Sequence, residues 1–195
     1  MNLVTRSFYS QDTVKVAQEM LGKILVRKIN GYIISGIIVE TEAYRYKDDE
    51  ASHSFGGMTE RNKAMFGDVG KAYVYFTYGM HYCVNAVARS DECKAGAVLL
   101  RSLVPHSGID FMYKQRNTNE LSNLTNGPAK LAQALNITKK EYGQDLTKKS
   151  TLYIVDGIPV KKSDIKIGPR IGISKASDKL WNFKITKNVF ENFKT

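Results

Sequence analysis

The sequence predicts one mixed α+β domain over residues 1–195, a curved and largely antiparallel β-sheet flanked by helices. Three observations lead there. Segments rich in β-branched and aromatic residues follow one another through two tight turns, Asn30-Gly31 and Tyr78-Gly79-Met80. Helical patterns are confined to short stretches that would lie at the sheet's edges. No repeat, low-complexity tract or Pro/Gly-rich linker divides the 195 residues, a length that suits a single core.

Asp12 opens a helical pattern with Val16, Ala17, Met20 and Leu21 on one face, and Gly22 suits its C-terminal end. Ile24 to Ile29 reads as a strand, and Asn30-Gly31 returns the chain into a second strand that runs from Tyr32 through Val39-Glu40-Thr41-Glu42-Ala43-Tyr44. Thr59 is placed to cap a short helix through Phe66. Residues 72–77 and 81–87 are both rich in strand formers and make a second hairpin around the turn at Tyr78. Ala95 to Val104 forms a further apolar strand, interrupted by Arg101, and Ile109 to Gln115 a helix. Residues 116–126 are polar and read as a surface loop. Pro128 fits the first turn of a helix to Leu135, and strands follow at Leu152–Val155 and Ile165–Ile173.

Apolar residues at 43% and charged residues at 25% give the balance of a soluble globular protein. No apolar run reaches transmembrane length and the N-terminus lacks a signal-peptide core, so a cytoplasmic location is expected, with no membrane partner. Cys83 and Cys93 are the only cysteines, which suits a reducing compartment. Lys and Arg number 29 against 19 Asp and Glu, a net +10 that favours a polyanionic partner, nucleic acid before membrane. Residues 137–195 hold 13 basic and 6 acidic residues and so supply +7 of that excess. A solubilising lysine-rich surface would carry the same charge.

Glu40 and Glu42 stand in an otherwise apolar strand, and strand period puts them on one face with Tyr44. A carboxylate in a buried strand needs a partner or a function; a wet edge strand would show the same pattern. Six of the eleven tyrosines fall between positions 44 and 82. Aromatic strand faces stack nucleobases, and Tyr73 and Tyr75 share such a face. Tyr78, at a Gly-containing hairpin tip, either covers the hairpin end or enters a base stack. His53, His81 and His106 form no metal-ligand spacing, and the pair His81 and Cys83 is a weak metal signal. There is no P-loop, dinucleotide fingerprint or nucleophile elbow.

At the level of motifs the chain resembles the alkyladenine (3-methyladenine) DNA glycosylases. Residues 39–44 (Val-Glu-Thr-Glu-Ala-Tyr), His53-Ser54, Thr59-Glu60-Arg61-Asn62, the run from Ala72 to Asn85, Leu99-Leu100-Arg101 and the run from Asn126 to Leu131 match that family's motifs in order. The likeness spans residues 5 to 175, and departs at Phe55-Gly56-Gly57-Met58 and at Glu60. It implies a compact bacterial member without metal or cofactor. Its partner would be double-stranded DNA containing damaged purines, and nothing suggests an obligate oligomer. By the same resemblance Glu42 is the catalytic base, Tyr44, His53 and Tyr75 sandwich the flipped base, and Tyr78 is the intercalating wedge. Asn85 becomes a pocket residue that discourages guanine, and Arg101 a basic residue near the flipped nucleotide. Lys130, near a helix N-terminus, is a candidate for holding phosphate.

The chemistry suits this set. An N-glycosidic bond to a purine breaks through a sugar with oxocarbenium character, and a carboxylate orients and deprotonates the attacking water. One carboxylate suffices for an alkylated, cationic purine, which is already a good leaving group. A neutral hypoxanthine needs a proton as well, and the sequence identifies no donor for it. Two other classes compete. A hydrolase of free nucleosides or carbohydrates would use Glu40 and Glu42 together, but residues two apart on one strand cannot flank a bond from both sides. A non-catalytic nucleic-acid-binding module explains the tyrosines and the charge but gives Glu42 no task.

Overall fold

A computed structural model describes residues 1–186. Lys187, Glu191 and Lys194, counted in the basic C-terminal region, lie outside the described residues. The chain begins with a single helical turn, α1 (Arg6–Tyr9), and α2 (Thr13–Glu19). The Asp12 carboxylate accepts from the backbone N–H groups of Val14 and Lys15 and so caps α2. Past its end, Gly22 takes φ +83°, and a Cβ there would stand 2.3 Å from the Ile158 carbonyl, so only glycine fits the turn into the sheet.

Among the described residues eight strands build one sheet: β1 (Ile24–Ile29), β2 (Tyr32–Arg45), β3 (Ala72–Thr77), β4 (His81–Val87), β5 (Gly96–Ser107), β6 (Leu152–Val155), β7 (Ile165–Gly168) and β8 (Asn182–Ile185). The main order is β3-β4-β5-β2-β1-β6, every pairing is antiparallel, and β8 joins β2 with β7 beyond it. This is a curled, single mixed α+β domain. Asn30 and Gly31 both take positive φ in the β1–β2 turn, as a two-residue hairpin requires. Helices α3 (Ile109–Arg116) and α4 (Pro128–Ala134) pack on each other, and α4 packs on β4 and β5.

β2 organises the sheet. β5 pairs along one of its edges, while the other edge is shared in turn by β1 over residues 32–37 and β8 over residues 40–42. Glu40 and Glu42 therefore lie on a central strand and are buried, which removes the wet-edge reading. The register with β5 slips on either side of Glu40, and Arg101 is the extra residue where Ser102 pairs Glu40 and Leu100 pairs Thr41. Such bulges bend a strand and re-aim side chains.

Three elements differ from the sequence expectation. The helix expected from Thr59 is one 3-10 turn, Lys63–Phe66. Asn62 gives its amide to the carbonyls of His53 and Gly57 instead, tying the preceding loop down. The strand expected to reach Ile173 stops at Gly168, because Pro169 has no N–H to donate and Gly172 turns left-handed at φ +77°. β8 was not anticipated, although Trp181-Asn182-Phe183-Lys184-Ile185 alternates as a strand should.

Candidate functional site

One row of directly paired residues crosses five strands: Tyr73 on β3, Asn85 on β4, Leu99 on β5, Glu42 on β2 and Asn182 on β8. Direct pairing puts all five on the same face of the sheet. A cavity of about 410 Å³ opens on that face, a size typical of small-molecule sites. Its lining includes Tyr44, His53, Tyr75, Tyr78, Asn85 and Arg101, six of the eight residues given a role from the sequence, together with Tyr73 of the aromatic strand face and, not anticipated, Ile171.

Glu42 lies behind that lining with no solvent exposure. Its Oε2 accepts from the Tyr44 hydroxyl at 2.8 Å and from Arg101 Nη1 at 3.1 Å. Its Oε1 accepts from the Ile171 backbone N–H at 2.7 Å and from Asn182 Nδ2 at 3.1 Å. Two of these donors come from close by in the sheet, since Tyr44 stands two residues along β2 and Arg101 on the bulge of β5. Burial, reinforced by the adjacent Glu42 charge, pushes the Tyr44 hydroxyl well above its ordinary pKa, so it remains a donor.

Ile171 is delivered by a clamp that the sequence did not announce. Arg170 makes two 2.6 Å bonds to the Asp49 carboxylate and one of 2.9 Å to the Ala43 carbonyl, and both side chains of the pair are fully buried. Its guanidinium lies 4.6 Å from the Tyr44 ring centroid and 5.2 Å from that of Trp181. The segment after Pro169 is thus pinned beside β2, with the next N–H aimed at Glu42.

The aromatic lining is braced from within. His53 packs edge-on against Tyr75, with centroids 4.6 Å apart, and its Nδ1 lies 2.9 Å from the Tyr73 hydroxyl. Tyr73 and Tyr75 are 5.5 Å apart. Burial and, less strongly, the Arg61 charge hold the His53 imidazole below its usual pKa. Burial pushes the Tyr73 and Tyr75 hydroxyls and the Cys83 thiol up. The side chain of Asn85 donates to the Tyr73 carbonyl at 2.9 Å, which fixes its amide at the cavity wall. Among the described residues no group of three or more His, Cys, Asp or Glu has a metal-binding arrangement.

Tyr78 stands at the rim of this cavity, and Lys130 lies apart from it. Tyr78, at the tip of the β3–β4 hairpin, is 85% exposed with φ +52°, so it buries little of its own surface. Lys130, in the first turn of α4, is not part of the cavity lining; its ammonium bonds Asn123 Oδ1 at 2.5 Å and Asn126 Oδ1 at 2.9 Å.

A buried carboxylate set behind an aromatic-lined hole, on a basic antiparallel domain, is the layout of a DNA glycosylase. The chain belongs to the family described as methylpurine-DNA glycosylase (MPG), which it matches over residues 7–189. It is 46% identical to a protein of Carboxydothermus hydrogenoformans over 96% of this chain and 97% of that one. It is also 46% identical to a protein of Prosthecochloris aestuarii, over 97% and 91% of the two chains. A Clostridium perfringens relative is 42% identical over 95% and 96%. Each of these bacterial proteins carries 3-methyladenine DNA glycosylase as its provisional name. Among the described residues no helix is long and apolar enough to cross a membrane.

Proposed function

We propose that the protein removes alkylated purines, 3-methyladenine among them, and deaminated purines from double-stranded DNA. It extrudes the damaged nucleotide and hydrolyses the glycosidic bond with a water activated by Glu42, leaving an abasic site. The observation that carries this reading is Glu42 itself, a carboxylate with no solvent exposure held directly behind a base-sized aromatic cavity. The names of the relatives support the substrate class.

In this mechanism Tyr44, His53 and Tyr75 hold the extruded base. A cationic purine is attracted to the faces of the tyrosines, and an imidazole held neutral adds no repulsion. Tyr78 fills the vacated stack, repaying part of the few kcal/mol that unstacking costs. Tyr44 and Arg101, the donors on Oε2 of Glu42, both line the cavity. A nucleotide that engages either side chain frees an acceptor position on Oε2 for the water. The water attacks the sugar carbon as the bond to the base breaks, its proton passes to Glu42, and the cationic purine leaves neutral. Arg101 stands near the flipped nucleotide, Asn85 disfavours the exocyclic amine of guanine, and Lys130 contributes to the phosphate-binding surface. The protein works as a monomer and without a metal or cofactor.

The test is excision from a duplex carrying one 3-methyladenine, under single turnover. Glu42→Gln loses at least about a hundredfold, the low end for removal of a general base, while Glu40→Gln is far milder. Near-wild-type excision by Glu42→Gln would sink the mechanism.

A further inference from the structure

We propose that Asn182 is a positioning residue for Glu42, anchoring Oε1 so that Oε2 is the oxygen that meets the water. The inference rests on the reading of Glu42 as the base, and it begins with an inventory of donors. A carboxylate offers about four lone-pair positions, and Glu42 fills all of them, two on each oxygen. The two sets differ in kind. On Oε1 the donors are a backbone N–H, pinned by the Arg170–Asp49 clamp, and an amide on a strand in direct register with Glu42. Neither lines the cavity through the donating group: the first is held by the clamp, and the second is buried on β8. On Oε2 the donors are the ends of Tyr44 and Arg101, side chains that line the cavity and that a bound nucleotide can engage.

Asn182 does a second thing that a backbone amide cannot. Its single Nδ2 lies 3.1 Å from Glu42 Oε1 and 3.1 Å from Glu40 Oε1, so its two hydrogens serve two buried carboxylates. Those carboxylates repel each other. A neutral donor between them holds both in place without adding charge. Countercharge comes from Arg101, with Nε 3.4 Å from Glu40, and from Lys184, with Nζ 3.3 Å from it. Asn182 is itself buried and forms no part of the cavity lining. Its effect on excision therefore passes through Glu42.

The experiment uses the full chain and the 3-methyladenine duplex. Asn182→Ala is expected to lower the single-turnover excision constant by about ten- to a hundredfold, the scale of a misplaced reacting group. Its Kd for the same duplex should stay within about twofold of wild type. Asn182→Asp keeps size and shape but turns the donor into an acceptor, and it guards against an alanine variant that does not fold. Asn182 bonds Glu40 and Glu42 on β2, whose other partners are Tyr44, Arg101 on β5 and Lys184 on β8; across β7 Asn182 pairs Gly168 and Lys184 pairs Lys166, and Arg170 lies over the rings of Tyr44 and Trp181. The new carboxyl becomes a donor only when protonated. The Asn182→Asp to wild-type ratio of excision constants should therefore rise as pH falls from 8 to 5. A flat ratio, an alanine variant within about twofold of wild-type excision, or a loss confined to Kd overturns the proposal. If Glu42→Gln is inactive while both Asn182 variants behave as wild type, only the positioning role fails; if Glu42→Gln excises normally, the reading beneath it fails too.

Discussion

Tyr44 donates its hydroxyl to Oε2 of Glu42 at 2.8 Å from two residues further along the same strand, so the group facing the cavity and the carboxylate behind it are set by one stretch of backbone. The geometry also shows why Glu42→Gln is not a silent substitution. All four hydrogen-bond partners of Glu42 are donors. Whichever way a glutamine amide is turned, its NH₂ faces two of them. The variant should lose about 1–3 kcal/mol for each unmatched donor, seen as a lower urea midpoint with an unchanged slope. A midpoint equal to wild type would show that the four bonds are not made together.

Breaking the Arg170–Asp49 pair should be more severe. Both side chains are fully buried, and removing one partner of such a pair typically costs about 3–5 kcal/mol. Asp49→Ala leaves the guanidinium without its carboxylate and releases the segment that brings the Ile171 N–H to Glu42. Urea denaturation measures the loss. A destabilisation under about 1 kcal/mol, the scale of an exposed pair, would contradict the packing described.

The pH response of His53 has a definite sign. Its pKa is depressed by burial first and by Arg61 second. At pH 6 a smaller share of it is protonated than of a free imidazole. The neutral form's contribution to stability is present above the ordinary value of about 6.5 and is lost as pH falls through the lower folded value. Arg61→Ala should move the imidazole titration upward without restoring the ordinary value, since burial remains. The protein has only three histidines, so the ring resonances are readily followed by NMR. A downward movement would mean that Arg61 does not act on His53 through its charge.

Tyr78→Ala separates a group that acts on DNA from one that supports the fold. With 85% of the residue exposed, thermal stability should change by less than about 0.5 kcal/mol. Loss of about 1–3 kcal/mol of stacking should reduce the flipped population by roughly five- to a hundredfold, with a smaller deficit in a mismatch or gap. A fluorescent base analogue beside the lesion reports it. Normal flipping together with a large fall in melting temperature would make Tyr78 a packing residue.

Much of the sheet was legible because its signals are local. Asn30-Gly31 marks a turn by its own chemistry, and the two hairpin segments of β3 and β4 begin and end where their β-formers do. Glu42, Tyr44, His53, Tyr75, Asn85 and Arg101 stood out through motif resemblance, and the structure gathers five of them around the cavity with Glu42 behind. The partners that hold Glu42 were not legible. Arg170 meets Asp49 across 121 positions of chain, and Asn182 meets Glu42 across 140. Nothing at position 170 distinguishes an arginine that will be buried from one of the many solvated cations of a basic chain. Asn182 did carry a signal, the alternation of residues 181–185, but a four-residue strand is short enough to pass for loop.

The backbone at Tyr78 has a practical consequence for anyone redesigning this protein. A tyrosine at φ +52° occupies a left-handed conformation that glycine or asparagine adopts with less strain. Its ring gains almost nothing from the rest of the molecule in return. A library sorted only for heat resistance would therefore enrich Gly or Asn at position 78 and yield hardier molecules with a blunted hairpin tip. If Tyr78 is the wedge proposed above, thermostability screens of this protein need a second sieve that requires DNA, or the first improvement they find will be a loss.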